Sequence, residues 1–205
     1  MIGLQLAVVV LALAAALSLR PWRLLGGGRL LTPALASLVL LPWLWALPSL
    51  HSTPLQLQWS GACVVLLMLG WPLAVPVLCL AALGAMVVAG GSWLDALAMA
   101  MWLGVVPATF ALGLGAAIRR LLGTHPFVYL IGRAFLGSVL SLFLAAVLRQ
   151  WSGEALPGVG ASLSLIAHWL TAWGDAFVTG MLVAIFVAYR PHWVATWSDA
   201  LSLRH

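Results

Sequence analysis

The chain has 205 residues, 64% hydrophobic and 6% charged, and its net charge of +5 comes from nine arginines set against four acids. A soluble domain carries about 25% charged residues, so this composition cannot clothe a water-facing surface and leaves no room for a soluble nucleotide-binding or catalytic domain. The arginines stand singly or in twos and threes at the ends of apolar runs, which is how membrane topology is set; the expected partner is the lipid bilayer and not nucleic acid.

Ile2 to Leu19 reads as the first span. It has no basic stretch before it, and Arg20, Arg23 and Arg29 follow it, which predicts an uncleaved helix with an external N-terminus. Leu31 to Leu50 is the second, with Pro33, Pro42 and Pro48 tolerable only where neighbours satisfy the freed carbonyls. The apolar run from Trp59 to Gly91 is too long for one crossing of a core about 30 Å thick. Trp71-Pro72 interrupts it, because the residue before a proline is pushed away from helical angles. Two spans there also bring Arg119, Arg120, Arg190 and Arg204 to the side of Arg20, Arg23 and Arg29. The expected fold is therefore a single all-α transmembrane domain over residues 1–205, a polytopic integral membrane helix bundle. Its seven spans fall at about 2–19, 31–50, 57–70, 73–90, 96–117, 126–148 and 162–189, with the N-terminus outside and the C-terminus in the cytoplasm.

The last span carries the chemistry. At about 100° per residue, Ser164, His168, Thr171, Asp175 and Thr179 share one arc of the helix. A charge facing lipid costs about 2.5–3.5 kcal/mol or more, so this arc must face protein or water. Asp175 falls near the midplane and His168 about 10 Å further out. One reading is an ion or substrate pathway through His168, Thr171, Asp175 and Thr179, joined at the outer mouth by His51 and Gln58; the other is a polar contact that fixes helix packing. Arg133 is the second charge within a span, and either pairs with Asp175 or snorkels to the headgroups. Cys63 and Cys79 have no close cysteine partner and read as inert. No phosphate-binding loop, nucleophile elbow, zinc-protease helix or Ser/His/Asp set is present, so no catalytic residues and no permanently bound cofactor are expected.

Three segments carry a family likeness: LQLQWSGACVVLLMLGWPLAV (55–75), PFVYLIGRAFLGSVLS (126–141) and HWLTAWGDAFVTGMLVAIFVAYRPHWVATWSD (168–199). Together they resemble the cobalt/nickel-type permeases, the substrate-binding membrane subunits of energy-coupling factor transporters, in a shorter bacterial branch. The resemblance implies about seven spans with an external N-terminus. It also implies a bacterial inner-membrane location, uptake of a divalent transition metal as substrate, and partnership with a coupling membrane subunit and ATPase subunits. It carries His168 and Asp175 over as metal ligands. Ile2 stands where that family has its first histidine, Gln58 stands near its second, and Asp175 replaces its glutamate. A non-transporting membrane scaffold or metalloenzyme-assembly factor that kept the fold and lost the ligands is the alternative. A small ion-coupled carrier using Asp175 without an ATPase is a third.

Overall fold

The computed structural model describes residues 2–50, 58–123, 125–153 and 160–197, and among these every regular element is helical. The order is α1 Ile2–Ser18, a single turn α2 Trp22–Leu25, α3 Leu31–Leu50, α4 Ala62–Leu69 and α5 Trp71–Ala89. These are followed by α6 Trp93–Met99, α7 Val106–Leu122, α8 Gly137–Trp151, α9 Ala161–Tyr189 and a 3₁₀ turn at Pro191–Trp193. A widened π segment, Ala100–Val105, joins α6 to α7, and a second, Val128–Leu136, leads into α8. Five helical runs are long and apolar enough to cross a membrane: Leu31–Leu50, Trp71–Ala89, Trp93–Leu122, Val128–Trp151 and Ala161–Tyr189. The 17 residues of α1 are apolar but shorter. Leu11, Val39, Val87, Leu140, Leu170 and Phe177 all lie exposed on the outside, a surface suited to lipid and not to water. The protein is an all-helical membrane bundle.

Local chemistry explains the breaks. Ser92 and Asp95 form a reciprocal capping box that starts α6. Gly90, at φ 66°, ends α5 in a left-handed cap. Between α4 and α5 the hinge is Gly70, at φ 75° and ψ 157°, one residue earlier than the Trp71-Pro72 pair suggests; Pro72 then sits in the first turn of α5, where its missing N–H costs nothing. Where the sequence predicts a span over 57–70, the described helix is the eight-residue α4, about 12 Å long. Gly61, at φ 64°, delays its start and Gly70 closes it.

All eight residues of α4 are buried, and α3, α5, α7 and α9 pack around it. The chain enters this core as non-helical backbone over residues 58–61, which membrane depth permits only where protein satisfies its polar groups. Leu19, Gly70, Gly115, Arg119, Arg133 and Thr196 meet at one end of the bundle, while Ser49, Gln58, Ala89, Asp95 and Arg149 meet at the other. Helices α1, α4, α7 and α9 thus run toward the Arg119 end, and α3, α5 and α8 run back. The close contact of α3 with α5 rests on Gly84, where a Cβ would come within 2.9 Å of the Pro42 ring.

The segment after α9 folds back on the Arg119 end. Thr196 Oγ1 donates to the Leu67 carbonyl at 2.8 Å and lies 2.7 Å from the Tyr129 hydroxyl, and the Trp197 ring meets Tyr129 edge-on at 5.0 Å. This bond gives one of the last carbonyls of α4, that of Leu67, a partner across 129 residues of sequence. Thr196→Val keeps the shape and removes both hydrogen bonds, so it should lower stability by about 1–3 kcal/mol, read as an earlier unfolding midpoint in detergent.

Candidate functional site

The structure gathers Gln58, Ser60, Trp102, Leu103, Arg149, His168, Thr171 and Asp175 around one cleft of about 60 Å³ near the Gln58 end. Four segments of the chain supply it. Helix α9 brings His168, Thr171 and Asp175 on the arc the sequence indicates, with Ser164, Asp175 and Thr179 buried and His168 and Thr171 half-buried. The entry to α4 brings Gln58 and Ser60. The π segment brings Trp102 and Leu103, and α8 brings Arg149.

Asp175 is 3% exposed and its carboxylate is engaged. Its Oδ2 accepts the Ser60 N–H at 2.8 Å and the Gly61 N–H at 3.3 Å, while Thr179 Oγ1 donates to Oδ1 at 3.3 Å. Gly61 is the N-cap of α4, so the acid sits where the helix leaves N–H groups unsatisfied and its dipole favours negative charge. A side chain 114 residues away in sequence thus does the work that a local cap does elsewhere.

The rest of residues 58–61 is pinned equally firmly. The Gln58 side chain donates to the Trp45 carbonyl at 3.1 Å, and the Trp45 indole N–H donates to the Ser60 carbonyl at 3.0 Å. Ser60 Oγ receives the Ala62 N–H at 3.2 Å and donates to the Leu103 carbonyl at 2.6 Å. Residue 107, whose N–H an α-helix would offer to this carbonyl, is a proline and has none. The freed carbonyl becomes an anchor for the entry to α4.

The sequence-indicated residues divide accordingly. Gln58, His168, Thr171 and Asp175 line one cleft, and Thr179 lies beneath it, bonded to Asp175. Arg133 lies at the opposite end, beside Gly115 and 5.7 Å over the Tyr129 ring, so the Arg133–Asp175 pairing does not form. His51 falls outside the described residues. Among the described residues no three His, Cys, Asp or Glu side chains come together as a metal would require, so the two expected ligands, His168 and Asp175, have no third. Cys63 is buried, Cys79 is half-buried, and neither is in a disulfide.

Two lining residues escape sequence reasoning. Arg149 carries a positive charge whose field reaches His168. Its signal is its solitude: it is the one arginine that neither falls within an expected span nor joins Arg20, Arg23 and Arg29 on their side. Trp102 has a buried indole N–H with no acceptor among the described residues; nothing in an apolar run marks one tryptophan as a cleft residue.

No protein-family model, curated protein or solved structure matches this chain.

Proposed function

We propose that this chain is the substrate-binding membrane subunit of an energy-coupling-factor-type permease, taking up a small ion through the cleft at the Gln58 end and driven by a separate ATPase. The observation that carries the reading is the convergence of Gln58, His168, Thr171 and Asp175, from two distant parts of the chain, on one cleft. The likeness of residues 55–75, 126–141 and 168–199 to that permease family points the same way. A water centre needs about 10–15 Å³ of such space, so about 60 Å³ accepts an ion with a few waters and not a vitamin-sized solute. The family reading makes a divalent transition metal the substrate class, and puts the protein in a bacterial inner membrane beside a coupling subunit. The positive-inside rule supports the orientation: Arg20, Arg23 and Arg190 follow helices that run to the Arg119 end, and Arg119 and Arg120 lie in the last turn of one, so that end would be cytoplasmic. Helix α1 starts at the opposite end, so its first turn would be external.

A second reading is a non-transporting scaffold or metalloenzyme-assembly factor. It is favoured by the engagement of the Asp175 carboxylate with the α4 entry, and by Arg149, whose charge disfavours a cation beside His168. The test is calorimetry of nickel and cobalt ions on the purified protein, with uptake measured in cells carrying Asp175→Asn or His168→Ala. The permease reading expects micromolar or tighter binding, lost uptake in both variants, and co-purification of an ATPase. Absence of binding together with unchanged uptake would overturn it.

A further inference from the structure

We propose that the Arg119 end holds a specific site for an anionic phospholipid, with the headgroup phosphate between Arg119 and Arg133 and an acyl chain in the seam between α1 and α7. The cleft there is about 360 Å³ and carries both guanidinium-bearing side chains in its wall. Its remaining surface is mainly apolar, with Leu19, Trp71 and Leu112 among its members. Trp71 also belongs to an apolar groove of about 750 Å³ that runs along α1 and α7 toward Trp151. The two spaces thus share Trp71 as a wall, and Trp71 is held in place by its indole N–H, which donates to Thr109 Oγ1 at 3.2 Å. A free phosphate would use the arginines and leave the groove empty. A phospholipid uses both, because its charge and its chain are joined in one molecule and Trp71 borders both spaces.

Arg133 is held for this role. It lies against Gly115, where a Cβ would come 2.6 Å from its Nε and 3.2 Å from its Cγ and Cδ, so the side chain occupies space that only glycine leaves. Its guanidinium stacks over Tyr129 at 5.7 Å, and the π segment Val128–Leu136 sets its direction. Arg119 approaches from the last turn of α7. Two planar guanidiniums from neighbouring helices match the oxygen geometry of a phosphate. Arg120 follows Arg119 in the chain but is not part of the cleft wall, which makes it an internal control.

Native mass spectrometry of the full chain, exchanged into detergent with an equimolar mixture of dioleoyl phosphatidylglycerol and dioleoyl phosphatidylcholine, tests this directly. An arginine near a membrane surface contributes about five-fold to binding an anionic lipid. The wild type should therefore retain phosphatidylglycerol over phosphatidylcholine by about twenty-fold or more. R133Q should lose about five-fold of that preference and R119Q/R133Q should reach parity, while R120Q should keep it. G115A, which drives Arg133 off its seat, should behave like R133Q and serves where the double variant does not fold. Parity in the wild type overturns the proposal, as does an unchanged preference in R119Q/R133Q. An equal loss in R120Q would mean diffuse surface charge. Displacement of the lipid by inorganic phosphate would mean a free-anion site instead.

Discussion

Asp175→Ala should unfold the centre of the bundle before it changes anything else. Removing the carboxylate leaves the Ser60 and Gly61 N–H groups at the buried start of α4 without an acceptor. Each unsatisfied buried donor costs about 1–3 kcal/mol. Water from the adjoining cleft can reach part of this surface, so the expected loss is about 2–4 kcal/mol. Asp175→Asn is the informative companion. The amide oxygen still accepts both N–H groups, and its NH₂ can donate to Thr179 where the carboxylate accepted, so the loss should stay near 1 kcal/mol, the share due to charge. Unfolding midpoints of the two variants in detergent, measured beside the wild type, check this order. Equal losses would mean that the α4 cap is not what Asp175 supports. The pair also separates structure from transport, since Asp175→Asn keeps the bundle while removing the charge that an ion pathway would need.

Gly61→Ala should be comparably damaging, for two reasons that add. Gly61 has φ 64°, a left-handed conformation that costs an L-residue about 1–2 kcal/mol. A Cβ there would also lie 2.8 and 2.9 Å from two atoms of the Trp59 ring, and overpacking of this kind costs about 1–3 kcal/mol. The sum is about 2–5 kcal/mol. Gly90→Ala is the control, with φ 66° but nothing within 4 Å of the new Cβ, so it should show the backbone part alone, about 1–2 kcal/mol. Thermal midpoints in one detergent give the comparison. If Gly61→Ala and Gly90→Ala lose the same amount, the Trp59 ring moves freely and the entry to α4 is not tightly packed. If Gly61→Ala loses more, residues 58–61 form a fixed plug that holds the floor of the cleft.

Both variants act on one feature, the entry to α4, and that feature explains how a cleft lined by polar groups survives inside an apolar bundle. Trp45, Leu103 and Asp175 come from three different helical runs; Trp45 and Asp175 each satisfy two polar groups of residues 58–61 and Leu103 one. The cleft is the space left above this plug. Asp175 therefore serves the fold through Oδ2 and Oδ1 at the same time as it lines the candidate pathway, and a substrate would have to share the carboxylate with the α4 cap.

Hydropathy alone places the helices at 31–50, 126–148 and 162–189 within a few residues, because the cost of leaving an apolar segment in water is a local sum over its side chains. The arc of Ser164, His168, Thr171, Asp175 and Thr179 is equally legible, since helical period and the cost of polar groups in lipid together dictate that it turns inward. The arginine end follows from the same local reading. Other features depend on contacts that no local sum contains. Residues 57–70 are apolar enough for a span, yet among those described, 58–70, only Ala62–Leu69 is helix, because Gly61 and Gly70 bound it and distant side chains satisfy the backbone before it. Arg133 and Asp175 are partners by charge alone, but the bundle sets them at opposite ends of α4, where Gly115 makes room for one and the start of α4 needs the other. Arg149 and Trp102 become cleft residues only when α8 packs beside α9 and the first π segment packs beside α8. Burial in a membrane can be read from composition. Which polar group meets which depends on packing, because each buried donor must find its acceptor wherever in the chain that acceptor lies.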